Sequence, residues 1–105
     1  MKLVNYNSSF KVLKAAQNAG IETIPQLMAL LYIAQSRESG RTVSGVRDHL
    51  GMSQSAASRA CRFLSSRFNA KRIGLNLVDS YADVEDVRSK FFRLNANGRA
   101  FIDKL

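Results

Sequence analysis

The sequence predicts a mainly α-helical protein with one small β-hairpin, an α+β fold, and three observations support this prediction. Apolar residues recur with helical spacing in several segments of the chain. Gly51 separates two of these segments in the pattern of two helices joined by a tight turn. After this pair, two short β-prone segments flank a polar loop and precede a last short helix. A helix-turn-helix followed by a β-hairpin is the arrangement of a winged helix, in which the hairpin loop is the wing.

The helix-turn-helix is predicted over residues 44–68. Ser44 is a suitable N-cap for its first helix, in which Val46 and Leu50 lie four residues apart on one face. Gly51 supplies the left-handed backbone position that ends this helix.

The second helix of the pair, capped by Ser53, is predicted to have two distinct faces. Its apolar face consists of Ala56, Ala60, Phe63 and Leu64. Its opposite face consists of Gln54, Ser55, Ser58, Arg59 and Arg62. Short polar side chains and arginines are suited to base edges and phosphates, so this helix is predicted to be the recognition helix.

The remaining elements follow from caps and short patterns. The predicted helices are 8–19, 24–37 and 96–104, and the predicted strands are 41–43, 75–78 and 89–94, with a loop at 80–87. Thr23 and Gln26 form a capping box, and the helix after them is apolar almost all round, which is typical of a central core helix with Met28 inside. Asn95 is the predicted cap of the last helix, whose inward residues are expected to be Ala100, Phe101 and Leu105. The whole chain, 1–105, is predicted to be one domain with the wing at 75–94.

Positive charge is concentrated on the same segment as the helix pair. The chain has 16 Lys and Arg against 8 Asp and Glu, a formal net charge of +8. Between residues 41 and 72 lie seven basic residues and a single acid, Asp48. This charge favours a polyanion, nucleic acid first and an anionic membrane second. The plain alternative is a solvated face that keeps the protein soluble.

Other classes of protein find little support. No apolar run approaches the roughly 20 residues of a membrane-spanning helix, and the N-terminus lacks the apolar stretch of a signal peptide. Cys61 and His49 are the only residues of their kinds, so neither a disulfide, a metal site nor any cofactor is expected. No catalytic constellation is present, so an enzyme is not predicted. A cytoplasmic, nucleoid-associated protein encoded by a bacterium or a phage is the expectation.

The candidate DNA contacts fall into two groups. Base edges are the expected partners of Gln54, Ser55, Ser58 and Arg59, with a phosphate as the alternative for Arg59; Ser53, at the helix start, is a further candidate DNA contact. Phosphates are the expected partners of Arg41, Ser44, Arg62, Arg67, Lys71 and Arg72. The alternative for both groups is an ordinary solvated surface.

Several motifs resemble the MarR family of winged-helix transcription regulators. They are Thr23-Ile24-Pro25-Gln26-Leu27, the helix pair with Ser58-Arg59, Gly74-Leu75, Asp86-Val87-Arg88-Ser89, Arg93-Leu94-Asn95 and Gly98-Arg99. Together they span about residues 20–102. The resemblance implies that Arg88 contacts DNA from the wing and that Asp86 orients it; the alternative is an ordinary surface ion pair.

The resemblance also bears on assembly and function. MarR regulators dimerise through long terminal helices, which are largely missing here, so ligand sensing is not carried over. The expected homodimer would use helix 1 and the C-terminal helix. Some family members sense oxidants through a cysteine, but Cys61 is predicted to be a small packing residue. The predicted function is a sequence-specific, double-stranded DNA-binding transcriptional regulator that represses by occupying a promoter. The alternative is a protein-interaction, architectural or replication-associated module without an operator of its own.

Overall fold

The computed structural model describes residues 3–82 and 90–105, and in this part of the chain it has five helices and three strands. In chain order these are α1 (Leu3–Asn18), α2 (Ile24–Gln35), β1 (Arg41–Thr42), α3 (Val43–Leu50), α4 (Gln54–Leu64), β2 (Val78–Ala82), β3 (Lys90–Leu94) and α5 (Ala96–Asp103). The strands form one antiparallel sheet in the order β1-β3-β2. The predicted winged helix is confirmed, including the short strand before the helix pair, which pairs with the outer side of β3.

Helix α2 lies at the centre of the fold and packs against α3, α4 and β3. The Thr23 side chain accepts a hydrogen bond from the Gln26 backbone N–H, and the capping box is complete. Leu30 and Ile33 are fully buried. Met28 is 44% exposed, so the prediction that it packs in the core is wrong. It lies one helical turn after the exposed Ile24, on the side of α2 that no other described element covers.

The helix pair is joined as predicted, but its first cap is a different residue. Thr42 caps α3, because its hydroxyl oxygen accepts a hydrogen bond from the Gly45 N–H at 3.0 Å, and Ser44 lies inside the first turn. The strand pairing of β1 holds Thr42 in the extended conformation that an N-cap requires, so the helix begins immediately after it. Gly51 has the predicted left-handed conformation, with φ of 66°, and Ser53 caps α4.

The buried face of α4 differs by one position from the prediction. Ala57 and Cys61 are fully buried, whereas Ala56 is only half-buried. Ala60, Phe63 and Leu64 are buried as predicted. Residues 57, 60, 61 and 64 follow the spacing of one helical face, and small side chains at three of these positions let α4 approach α2 closely.

The chain enters the sheet later than predicted. Residues 75–77 are not part of a strand, since Asn76 has φ of 57° and the Leu77 N–H donates to the Leu64 carbonyl at 2.8 Å. This segment is therefore fastened to the end of α4, and β2 begins only at Val78. Residues 80–82 belong to β2 instead of the predicted loop, and β3 begins at Lys90. The rest of the predicted loop, 83–87, and the predicted first residue of the return strand, Ser89, lie outside the described residues.

The two ends of the chain also differ from the prediction. Helix α1 begins at Leu3 instead of residue 8. Asn95 caps α5 as predicted, since its side chain accepts a hydrogen bond from the Gly98 N–H at 2.9 Å. Ala100 and Leu105 are exposed, however, because the buried position of this helix is Gly98. None of the described helices is both long and apolar enough to cross a membrane.

Candidate nucleic-acid interface

The outward face of α4 is polar, basic and free of acids. Ser55, Arg59 and Arg62 are exposed and follow each other at helical spacing, and Gln54 is exposed at the first turn. Ser58 is half-buried between them. The structure therefore brings the predicted base-contacting residues together on one accessible face. Ser53 is exposed as well, but its hydroxyl oxygen is engaged by the Ala56 N–H at 3.1 Å.

A hydrogen bond across the turn orients Gln54. Arg47 of α3 donates from Nη1 to the Gln54 side-chain oxygen at 2.8 Å and from Nε to Asp48 at 2.8 Å. The hydrogen bond from Arg47 lowers the pKa of the Asp48 carboxyl, which therefore stays charged and partly neutralises Arg47. Because the Gln54 oxygen is occupied, its amide nitrogen is the donor that remains for a base edge. Arg47 is not among the contacts predicted from the sequence, since only the fold shows that it reaches the start of α4.

Arg41 is held at the entrance to α3 by an aromatic side chain. Its guanidinium carbon lies 4.3 Å from the centre of the Tyr32 ring, and its Nε donates to the Tyr32 carbonyl at 3.3 Å. His49 of α3 stacks on the same ring at 4.1 Å. These contacts join β1, α2 and α3, and they hold Arg41 three residues before the exposed Ser44. In the described part of the chain no three potential metal ligands cluster.

The predicted phosphate contacts after α4 lie in a folded segment. Arg67, Lys71 and Arg72 are all exposed. Arg72 forms an ion pair with Glu22 at 2.8 Å, and its guanidinium carbon lies 5.1 Å from the centre of the Phe63 ring. Arg72 is therefore engaged by groups outside its own segment, whereas Arg67 donates from Nη1 to the Ala70 carbonyl within the segment, at 3.4 Å.

A shallow groove of about 420 Å³ connects this segment with α4. Arg59 and Arg72 line it from one side, and Thr23 and Pro25 line it from the start of α2. The predicted contacts of the recognition helix and of the segment after it thus border one continuous surface. The wing residues Asp86 and Arg88 lie outside the described residues.

Cys61 is fully buried in α4, against the core. Burial raises the pKa of its thiol to about 12. A buried, neutral thiol is a poor nucleophile, so its environment is that of a packing residue.

Comparison with known proteins shows which solved structures share this fold. No protein-family model and no curated protein sequence matches the chain. The S. aureus MepR-DNA complex matches with a TM-score of 0.76 at 19% identity, over 97% of this chain and 75% of that one. MarR matches with a TM-score of 0.69 at 15% identity, over 96% and 66% of the two chains.

A third solved structure agrees with these two. The PcaV transcriptional regulator from Streptomyces coelicolor, in complex with its natural ligand, matches with a TM-score of 0.64 at 21% identity, over 98% and 67% of the two chains. At such identities the likeness concerns the fold. The chain has the winged-helix fold of the MarR-type regulators, as its motifs predicted.

Proposed function

We propose that this chain is a sequence-specific, double-stranded DNA-binding transcriptional regulator that represses by occupying a promoter. The observation that carries the proposal is the exposed, acid-free face of α4, at the position of the recognition helix in a winged helix. The same helix has a fully apolar opposite face, so its orientation relative to the core is fixed. We propose that residues 1–105 act as one DNA-binding unit. We expect it in the compartment that holds the genome, which in a bacterium is the cytoplasm.

In the proposed mechanism α4 enters the major groove. Arg59 hydrogen-bonds a guanine, or a phosphate where the guanine is absent, and Gln54 donates its amide to an acceptor on a base. Ser55 and Ser58 lie beside them, and Ser53 lies at the helix start. A good bidentate contact contributes roughly 1–3 kcal/mol of discrimination against a wrong base.

Phosphate contacts fix the position of α4. Arg62, one turn after Arg59, and Arg41 with Ser44 at the start of α3 are the proposed contacts beside the major groove. We propose Arg88 of the wing, oriented by Asp86, as a further contact. Each neutralised phosphate releases counterions, so binding should weaken steeply as salt rises.

We also propose that the active form is a homodimer of two copies of this chain. Tyr6, Phe10 and Leu13 follow each other along α1 and are 52%, 67% and 52% exposed. Leu105, after α5, is 44% exposed. Large apolar side chains in a row on one helix are typical of an interface. A second copy of the chain would cover them. The resulting dimer would carry two recognition helices, which suits an inverted repeat.

The experiment that tests the function is selection from a randomised duplex library with purified protein at near-physiological salt. An enriched inverted repeat with half-sites about one helical turn apart is the expected result. Enrichment of a single half-site would support sequence reading and contradict the dimer. Salt-sensitive retention without enrichment would indicate an architectural DNA-binding protein, and no retention would favour a protein-interaction module.

A further inference from the structure

A small β-hairpin follows the recognition helix, in addition to the hairpin of the wing. Arg67 and Ile73 form an antiparallel bridge, and the Phe68 N–H donates to the Arg72 carbonyl at 3.0 Å. At the tip, the Asn69 side-chain oxygen accepts from the N–H groups of Lys71 and Arg72, at 2.8 and 2.9 Å. Residues 66–74, which are called the basic hairpin from here on, therefore have their own hydrogen-bonded turn.

The two faces of the basic hairpin differ in chemistry. Phe68 faces α4, since its ring meets the Phe63 ring edge-on at a centroid distance of 6.0 Å. Arg72 shares this inner side, with its guanidinium 5.1 and 5.7 Å from the two rings and an ion pair to Glu22. Arg67 and Ile73 form a cross-strand pair one position away from Phe68 and Arg72, so the strand alternation places them on the outer side. The inner pair fastens the hairpin, and the outer pair is available for a partner.

The base of the basic hairpin is held tightly against the end of α4. The Gly74 N–H donates to the Ser66 carbonyl at 3.1 Å, and the Leu75 N–H donates to the Phe63 carbonyl at 2.8 Å. A Cβ atom on Gly74 would lie 1.9 Å from the Ser65 carbonyl oxygen, so only glycine fits here. The hairpin is thus a built extension of α4 with a defined direction.

The outer side combines positive charge with one large apolar side chain. Ile73 is 71% exposed, Arg67 and the tip residue Lys71 are exposed, and residues 65–77 contain no acid. An exposed isoleucine between basic residues on a narrow two-stranded ribbon is suited to the minor groove, where cations meet phosphates and apolar side chains contact sugars or base steps.

We propose that the basic hairpin is a second wing, which grips the minor groove next to the major-groove segment that α4 occupies. Arg67 and Lys71 bind phosphates of that groove, and Ile73 lies against its sugar edges. Arg72 is a positioning residue, because Glu22 and the two phenylalanine rings hold its guanidinium. This inference rests on the proposed DNA binding and adds a contact element and a groove to it.

The test uses the full chain and a 30-base-pair random duplex, so that base reading by α4 does not enter. The variants are the double substitution Arg67→Ala/Lys71→Ala, the single substitution Ile73→Ser, and the control Lys11→Ala/Lys104→Ala, which removes two exposed charges elsewhere. All changed side chains are exposed, and circular dichroism checks that each variant folds. The dissociation constant is measured over a series of potassium chloride concentrations.

Four separate results are expected. The double variant should lower the slope of log K against log salt by roughly 1–2, since each lost phosphate contact removes about 0.9. Ile73→Ser should weaken binding several-fold and leave the slope unchanged, because it removes no charge. The control should leave both values near those of the wild type. A minor-groove ligand such as netropsin should weaken duplex binding by the wild type, and it should weaken binding by Ile73→Ser and by the double variant to a smaller extent.

Two results would overturn the inference. If the wild type binds the duplex and both hairpin variants bind it equally well with the same slope, the second wing is wrong while the proposed function stands. If the wild type binds no duplex at any salt concentration, the proposed function fails and the second wing fails with it.

Discussion

Among the proposed base contacts, Arg59 is the one that we expect to matter most, because it is the exposed arginine in the middle of the outward face of α4. We expect Arg59→Ala to weaken binding to the selected site by about tenfold or more, since one bidentate base contact contributes roughly 1–3 kcal/mol. Binding to random duplex should fall less. Fluorescence anisotropy with both duplexes measures the two losses.

Arg62→Ala is the matched control for this prediction. Arg62 lies on the same helix and is also exposed, but it is proposed to bind phosphate, so its loss should weaken both duplexes alike. An equal loss on both duplexes for Arg59→Ala would make Arg59 a phosphate contact and would leave Gln54 as the main base reader.

Cys61 makes the stability of the fold dependent on pH in the alkaline range. Its folded pKa of about 12 lies above the ordinary value of 9.0, so the native state holds the proton more tightly than the unfolded chain. The corresponding stability is present below pH 9, and it is lost as pH rises from there towards the folded pKa. Denaturant unfolding of the wild type and of Cys61→Ala should therefore converge between pH 8 and pH 10.5.

Cys61→Ala is the reference for other effects of alkaline pH on stability, because it contains the same lysines and tyrosines as the wild type. The alanine variant should be less stable at pH 8, by about 1 kcal/mol or more for the lost packing. Thiol-specific reagents should label native Cys61 far more slowly than the unfolded chain. Fast labelling of the native protein would contradict the buried environment.

At the level of single residues, the neighbouring sequence predicted several helix caps correctly and one wrongly. Ser53, Gly51 and the pair Thr23–Gln26 act where the sequence placed them, because each cap is a contact within one turn. The choice of Thr42 over Ser44 depends on the pairing of β1 with β3, about fifty residues later in the chain. No local pattern contains that information.

Among the elements, the connection from α4 to the sheet is the one that the sequence predicted least well. The apolar residues Leu75 and Leu77 suggested a strand, but their backbone N–H groups bond to the last turn of α4. Apolar alternation shows only that side chains are buried, and both arrangements bury them. The helix pair was predicted to extend to residue 68, but α4 ends at Leu64 and the basic hairpin begins at residue 66. The bridge of this hairpin spans only one residue pair, so no sequence pattern marks it.

Gly74 links the basic hairpin to the stability of α4, and its substitution tests this connection. We expect Gly74→Ala to destabilise the protein by more than about 2 kcal/mol, because the new Cβ would overlap backbone oxygens of residues 65 and 63. Chemical denaturation measures the change.

Gly51→Ala is the comparison variant, because it introduces backbone strain without a steric overlap. Gly51 has positive φ and nothing within 4 Å of its would-be Cβ, so alanine should cost only about 1 kcal/mol. Equally small losses of stability for the two substitutions would contradict the close approach of Gly74 to the carbonyl oxygens of residues 65 and 63.

On the scale of the whole molecule, the sequence predicted the distribution of charge and the order of elements well. Both features depend on many residues, so a wrong prediction for the burial of a single residue, such as Met28 or Ala56, does not change them. The assembly of two chains is harder to predict, because an exposed apolar side chain looks the same in a sequence as a buried one. The exposure of Phe10 and Leu13 becomes visible only when the rest of the fold is in place.

The homodimer can be tested through this uncovered side of α1. Leu13→Glu places a carboxylate among Tyr6 and Phe10, and burying it in an interface without a partner would be strongly unfavourable. We expect light scattering after size exclusion to give two 11.7 kDa chains for the wild type and one for the variant. Binding of the variant to an inverted repeat should fall to the affinity of a single half-site.

Ser8→Glu is the control, because Ser8 is exposed on the opposite side of the same helix and receives the same new charge. It should remain dimeric and bind the repeat normally. Full burial of a large apolar side chain contributes about 1.5–3 kcal/mol, and four that are half-exposed in each of two chains set this gain against the cost of association, roughly 4–15 kcal/mol. A wild type that is monomeric at that concentration and still prefers the repeat would show that the DNA itself brings the two chains together.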